Sequence, residues 1–359
     1  MVKNILFSAY SMDFGGIETA LITLLKKIHN QYNITLVLEK KEGIFLKDLP
    51  ENVHVITYKP SNNKNIIFRK IVNFFKQQKF KLKYKNKFDF SASFATYSYS
   101  SSFVARNASK NSCLWVHNDY FNFFNQNIKK YKDFFKKLKT DTFKKIVFVS
   151  KNDLDTFLKI YPENKSKCIY CNNLIDYKRI IEKSKEEIKD FKEKSDIFTF
   201  INIGRHDEKQ KRLSRIINAS KRLHEEGYKF KVIFVGDGLD SKMYQELAKE
   251  DSEIMFLGAK KNPYPYLLKS DCLIMSSDYE GYPVVFVESK ILGKPIITTE
   301  VSDAKEDIKN KYGIVVEKSE EGIYKGMKQF LKNRCVSEKF DPEIFNKEIL
   351  RNLNHIIND

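Results

Sequence analysis

The chain has 359 residues, 42% of them hydrophobic and 14% aromatic, with 64 Lys and Arg against 46 Asp and Glu. That length allows two domains with a core each, and that composition excludes wholesale disorder. The excess of positive charge lies in one half, since residues 1–180 hold 32 basic and 14 acidic side chains whereas residues 181–359 hold 32 of each.

So basic a half implies an anionic partner: nucleic acid, anionic lipid or a phosphorylated acceptor. No apolar run reaches the length of a membrane span, and the stretch from Ile5 to Ala9 is too brief for a signal peptide, so a cytoplasmic protein is expected. Lys3 to Ala9 reads as a buried strand, and Ile17, Ala20, Leu21, Leu24, Leu25 and Ile28 mark one face of a helix. Between them Gly15 and Gly16 let the backbone approach a ligand and leave the first N–H groups of the helix open. As a fingerprint the pair is weak, and the alternative is a plain tight turn. Strands follow at Ile34 to Glu39 and Val53 to Tyr58.

Lys64–Lys87 then carries nine basic residues and no acidic one, interleaved with Ile66, Ile67, Phe68, Ile71, Phe74, Phe75, Phe80 and Leu82. Phe121–Lys145 is similar, with Phe123, Phe124, Phe134, Phe135 and Leu138 among eight lysines and two aspartates. Both suit the interface of an anionic bilayer, where each lysine contributes roughly 1 kcal/mol. The alternative is an ordinary helix whose apolar face packs on a sheet while its lysines are solvated. The charge surplus favours membrane contact for both.

Phe88 to Phe94 and Ser112 to Val116 are further strands, the second ending at His117 and Asp119. A histidine there either satisfies a local hydrogen bond or, at the edge where open α/β sheets bind ligands, touches substrate. Lys145 to Ser150 is the next strand. Asp153-Leu154-Asp155 has the D-x-D form of a metal motif, but Ser150 three residues ahead of Asp153 reads as a helix cap, so no metal is implied. The five cysteines, Cys113, Cys168, Cys171, Cys272 and Cys335, are scattered and read as structural. Cys168 and Cys171 fall on one strand and point to opposite faces.

Residues 177–196 lack Gly and Pro and read as a charged helical link. The second half then starts afresh with a strand from Phe198 to Ile203, followed by Gly204-Arg205-His206-Asp207-Glu208-Lys209-Gln210-Lys211-Arg212 and a helix from Leu213. A strand to Val235 precedes Gly236-Asp237-Gly238, and another ends at Gly258. Cys272 to Met275 feeds the loop from Ser276 to Glu280, then Gly281-Tyr282-Pro283-Val284, a helix bearing Glu288, and a strand from Pro295 to Thr299. In such a strand-loop-helix unit the loop and the helix N–H groups form a seat for phosphate. Two successive βα arrays imply an α/β protein of two Rossmann-like domains facing a cleft.

The spacing of Glu280 and Glu288 alone is a weak signal. Its context, S-x-x-x-E-G-Y-P-x-V-x-x-E followed by a Gly-Lys-Pro turn, resembles the donor site of retaining glycosyltransferases of the family 4 type (glycosyl transferases group 1), which have the GT-B fold. The resemblance runs from Gly15 to Gly313, with the second-half motifs specific and the first-half motifs loose. It implies that Arg205 and a following lysine, Lys209 or Lys211, hold the donor diphosphate, with the helix start favouring Lys211. It further implies that Glu288 accepts from the ribose diol, that Glu280, Gly281, Tyr282, Pro283 and Val284 meet sugar and phosphate, and that the base rests near Gly258. Gly204 belongs to the same set. In the first half it implies that Gly15 and Gly16 face diphosphate and acceptor and that His117 lies near the reacting sugar. No cofactor and no metal are needed.

The implied domains are 1–180 (acceptor side), 181–335 (nucleotide sugar) and 336–359 (a helix returning to the first). The implied activity is retaining transfer of a hexose or N-acetylhexosamine from a nucleotide sugar, a UDP-sugar by family frequency. The acceptor would be a lipid-linked glycan at the inner membrane face, in capsule, exopolysaccharide or other surface polysaccharide synthesis. A sugar-nucleotide epimerase of the same fold is the enzyme alternative. A basic nucleic-acid-binding protein is the alternative of another class, although no base-reading or stacking motif is present and no nucleic acid is expected.

Overall fold

The protein is described by a computed structural model covering residues 2–13, 15–191, 197–334 and 337–359. Phe14 of the glycine loop, residues 192–196 of the link, and residues 335–336, where a domain boundary is expected from the sequence, lie outside the described residues. The chain divides into two compact units, residues 1–175 with 345–359 and residues 176–344.

In the first unit seven strands form one parallel sheet: β1 (Asn4–Ala9), β2 (Asn33–Leu38), β3 (His54–Thr57), β4 (Phe90–Ser93), β5 (Ser112–Val116), β6 (Lys145–Phe148) and β7 (Cys168–Tyr170). Their order is β3-β2-β1-β4-β5-β6-β7. Six helices intervene: α1 (Gly16–Ile28), α2 (Ile66–Tyr84), α3 (Tyr99–Ala108), α4 (Tyr120–Phe123), α5 (Ile128–Leu138) and α6 (Lys151–Ile160). Ile5, Leu6 and Phe7 are all buried because helices cover both faces of a parallel sheet, which is why β1 reads as a continuous apolar run. The Ser150 hydroxyl accepts from the Asp153 N–H at 3.2 Å, so the D-x-D residues open α6, as the capping pattern indicated.

The second unit repeats the plan with β8 (Phe198–Ile203), β9 (Phe230–Val235), β10 (Ile254–Gly258), β11 (Cys272–Met275), β12 (Ile296–Thr299) and β13 (Gly313–Val316) in the order β10-β9-β8-β11-β12-β13. Its helices are α7 (Tyr177–Lys183), α8 (Leu213–Glu225), α9 (Ser241–Ala248), α10 (Tyr264–Leu268), α11 (Val284–Ile291), α12 (Ala304–Asp307) and α13 (Glu320–Lys332). The last helix, α14 (Pro342–Asn358), packs its Ile349, Leu353 and Ile356 in the first unit. There the buried Lys145 ammonium donates to the carbonyls of Ile356 at 2.8 Å and His355 at 3.2 Å, satisfying the open end of α14.

In both sheets the order reverses beside the first strand, between β1 and β4 and between β8 and β11. Loops leaving such neighbours diverge, which opens a crevice at the carboxyl ends of the strands.

Two expectations are corrected. Among its described residues the link is helical only over α7, and from Ser184 to Phe191 the chain proceeds in turns and irregular backbone, with Glu186 accepting from the Asn262 side chain at 2.7 Å. In the segment Phe121–Lys145 the apolar face of α5 packs inward, with Tyr131, Phe134, Phe135 and Leu138 in the core against Phe148 and Phe157, so that Phe123 and Ile128 are the apolar residues it leaves exposed. On α2 the outcome is the opposite: Phe80 packs inward, whereas Ile67, Phe75 and Leu82 are 72%, 66% and 85% exposed. Among the described residues no helix is long and apolar enough to cross a membrane.

Truncation tests this contrast. Phe135→Ala should destabilise the protein by about 3 kcal/mol or more, whereas Phe75→Ala should stay within roughly 0.5 kcal/mol, both read by urea unfolding.

Candidate active site

The carboxyl edge of β8 and β11 gathers most of the second-half residues. After β8 the chain turns back so that Lys211 reaches over Gly204, and the Lys211 ammonium donates to Glu280 Oε1 at 2.5 Å. Both side chains are largely buried. Between the loops lies Gln210, whose amide donates to the Tyr279 carbonyl at 3.1 Å and to Glu280 Oε2 at 3.4 Å. Gln210 Oε1 accepts from Arg205 Nη2 at 3.0 Å, and its backbone carbonyl accepts from the Asp278 N–H at 2.8 Å. Arg205, Gln210, Lys211 and Glu280 are thus one network. Lys209 stands exposed on the same turn.

Cations crowd the start of α8, which the helix dipole disfavours unless an anion is near. The anions here are the protein's own. Asp278 accepts from Arg212 Nε at 2.7 Å and Arg215 Nη1 at 2.6 Å, and Glu208 accepts from the Ser214 hydroxyl at 2.6 Å. The inference that a basic helix start requires an external anion therefore does not hold for this loop by itself. Arg205 pairs with Asp207 Oδ2 at 3.4 Å and yet leaves its side chain 65% exposed.

Gly204 and Gly258 frame the neighbouring loop. The Gly236 N–H donates to the Gly258 carbonyl at 3.0 Å, and a Cβ on Gly236 would fall 1.8 Å from the Gly204 carbonyl oxygen, so only glycine permits this approach. His206 fits beneath, buried, its Nδ1 within 2.9 Å of the Ser241 hydroxyl.

Pro283 provides no side-chain cap for α11, and Gly15 provides none for α1. α8, α9, α10 and α12 likewise have no side-chain cap, whereas Asn65, Ser98, Asn127, Ser150 and Ser319 cap α2, α3, α5, α6 and α13. Gly281, Tyr282, Pro283 and Val284 form the turn into α11, held from two sides. Ser302 donates to the Gly281 carbonyl, and the Tyr282 hydroxyl meets Asp307. Asp307 also pairs with the buried ammonium of Lys290 at 2.6 and 2.7 Å, which in turn lies over the rings of Tyr312 and Phe340.

Glu288 stands one turn into α11, buried, and Oε1 accepts from the Tyr264 hydroxyl at 3.1 Å. Burial pushes its pKa up to about 7, and the Tyr264 bond opposes this weakly.

At the β1/β4 edge of the first unit, Gly15 and Gly16 stand at the mouth of α1 with Glu18 folded over it; a Cβ on Gly15 would fall 2.3 Å from Glu18 Oε2. His117, past the end of β5, has its ring centroid 4.5 Å from that of Phe94, and its buried Nε2 lacks a hydrogen-bond partner. Burial lowers its pKa to about 3, so it is a neutral imidazole at physiological pH. Asp119 caps α4, accepting from the Asn122 N–H at 2.9 Å.

Sequence reasoning missed Gln210, Tyr264, Lys290 and Asp307. Nothing in their spacing distinguishes them from surface or core residues.

A family model described as Glycosyl transferases group 1 matches residues 183–346. Over 348 residues, 90% of this chain and 89% of the relative, the sequence is 25% identical to N-acetylgalactosamine-N,N'-diacetylbacillosaminyl-diphospho-undecaprenol 4-alpha-N-acetylgalactosaminyltransferase of Campylobacter jejuni. A stretch of 116 residues is 36% identical to the uncharacterized glycosyltransferase MJ1059 of Methanocaldococcus jannaschii, covering 32% of this chain but 28% of that protein. Among solved structures, Anabaena Alr3699/HepE in complex with UDP and glucose superposes with a TM-score of 0.75 at 16% identity, covering 98% of this chain and 99% of that one.

The ionisation of Glu288 gives a testable sign. Its folded-state pKa lies above the ordinary 4.5, so the stability it contributes is complete below pH 4.5 and is lost as pH rises toward 7 and beyond. Glu288→Gln cannot ionise and should raise Tm over the parent at pH 8 by more than at pH 5; a gap independent of pH would contradict the assignment.

Proposed function

Because the chain is a glycosyltransferase of the GT-B fold whose residues 183–346 form a group 1 domain, we propose that it moves a hexose or N-acetylhexosamine from a UDP-sugar to a lipid-linked glycan, with retention of anomeric configuration. The observation that carries this reading is the network of Arg205, Gln210, Lys211 and Glu280 beside the uncapped start of α11.

In this reading the donor diphosphate takes over Lys211 from Glu280. Arg205 supplies a guanidinium fork, and the first N–H groups of α11 point at the phosphate. As the bond from the anomeric carbon to the phosphate oxygen breaks, these fixed cations and dipoles stabilise the charge that gathers on the leaving group. The acceptor oxygen attacks from the same face, and its proton passes to the departing phosphate. Glu280, released from Lys211, meets the sugar hydroxyls; Glu288 accepts from the ribose diol. The remaining donor contacts are the amides of Gly281, Tyr282 and Val284 with Gly204 and Gly258, and Lys211 rather than Lys209 is the diphosphate lysine. No step requires a metal.

The lipid-linked acceptor is supported by the Campylobacter relative, whose name specifies a diphospho-undecaprenol substrate. It is supported also by α2, whose exposed Ile67, Phe68, Phe74 and Phe75 stand among lysines with no acidic residue. Such a face suits the anionic inner leaflet of a cell in which surface polysaccharide is assembled.

Thermal shift with UDP, GDP and ADP tests the donor site. A selective rise of several degrees for one nucleotide at 100-fold excess over Kd, lost in Arg205→Ala and Lys211→Ala, is expected. No shift with any nucleotide would sink the reading. For the membrane face, co-sedimentation with phosphatidylglycerol vesicles should drop by about tenfold in a Phe68→Ser, Phe75→Ser double variant. Equal binding by the variant would remove α2 from the account.

A further inference from the structure

At the crevice of the first unit, side chains from three loops meet: Tyr10 and Glu18 after β1, Glu39 and Lys40 after β2, and Tyr97 after β4. The loop bearing Tyr97 is pinned throughout. The Phe94 N–H donates to the Ser8 carbonyl at 2.8 Å, and the Thr96 hydroxyl donates to the Trp115 carbonyl. The Ser98 hydroxyl, which caps α3, donates to Glu39 Oε2 at 3.0 Å, and Ser100 donates to the same oxygen.

On this rigid mount the Tyr97 ring is 43% exposed. Its centroid is 6.0 Å from that of Tyr10, whose ring carries the Lys40 ammonium at 5.2 Å, and its hydroxyl donates to Glu18 Oε1 at 3.3 Å. Pinning a loop in order to hold an aromatic ring in solvent adds little to a core. It does lower the entropy cost of binding something to that ring.

We propose that Tyr97, with Tyr10 behind it and Glu18 beside it, is a subsite for the uncharged pyranose at the acceptor end of the glycan. The C–H face of a pyranose covers an aromatic ring, and its hydroxyls donate to a carboxylate. Glu18, which accepts from Tyr97 through Oε1, places its Oε2 at the mouth of α1. The inference rests on the glycan-transfer reading above and names where the acceptor sugar sits.

The test uses the full chain, p-nitrophenyl glycopyranosides of glucose, galactose and their N-acetylamino forms as probes, and UDP-sugars as donors. For the glycoside that the parent glycosylates best, Tyr97→Ala should raise the acceptor KM by about tenfold with the donor KM unmoved, and Tyr97→Phe should recover most of that loss. An acceptor KM unchanged in Tyr97→Ala, or a donor KM that rises with it, overturns the subsite. If the parent glycosylates none of the probes, the transfer reading is what has failed. Saturation-transfer NMR then decides the subsite alone: glycoside protons saturated by the parent and not by Tyr97→Ala support it, and equal or absent saturation overturns it.

Discussion

A lysine ammonium and a glutamate carboxylate, 2.5 Å apart and mostly withdrawn from water, tie together two loops that leave neighbouring parallel strands in opposite directions. The same two loops are tied also by Arg212 and Arg215, both bonded to Asp278, and by the Ser276 hydroxyl, which donates to the Lys211 carbonyl. With these ties, Gln210 is clamped between Arg205 and the Tyr279 carbonyl, the Asp278 N–H is bonded, and the path into α11 is set. A buried pair of this kind adds little net stability, because desolvation offsets the attraction. Its consequence is arrangement: a cation is kept in place at the loop that leads into the uncapped start of α11.

The same economy appears around α11. Lys290, almost fully buried, is tolerated because Asp307 bonds its ammonium and the faces of Tyr312 and Phe340 cover it. That cluster fixes Tyr282 through Asp307 and so fixes the turn from Gly281 to Val284. Glu288 is the reverse case, a carboxylate with a single hydrogen-bond donor in a site that favours its neutral form. A group held at such a cost to stability is expected where a ligand supplies the missing donors.

Much of the fold was legible in the sequence. The apolar runs of β1, β8 and β11, the Ser150 cap and the restart at Phe198 each follow from local chemistry, and together they give two βα arrays. Chain-level periodicity does not say what an apolar face packs against. The stripes of α2 and α5 look alike, yet Phe135 lies in the core and Phe75 lies in solvent, because only α5 is brought over β5 and β6 by its neighbours. The absence of Gly and Pro after Lys183 did not make a helix, since the side-chain bonds of Asn262 hold that segment in turns. At the site the glycines and charged residues were visible as a motif. Gln210 joining Arg205 to Glu280, and Tyr264 reaching Glu288 across 24 positions, depend on strand order and could not be seen.

Calorimetric titration of UDP into Lys211→Met, Glu280→Gln and the double variant tests whether a diphosphate replaces Glu280 as the partner of Lys211. With such an exchange Lys211→Met weakens UDP by about tenfold or more. Glu280→Gln, which removes a competitor for the ammonium and leaves sugar contacts untested by UDP, binds at least as tightly as the parent. Equal weakening by both single variants would mean that Glu280 serves the nucleotide itself, and would contradict the exchange.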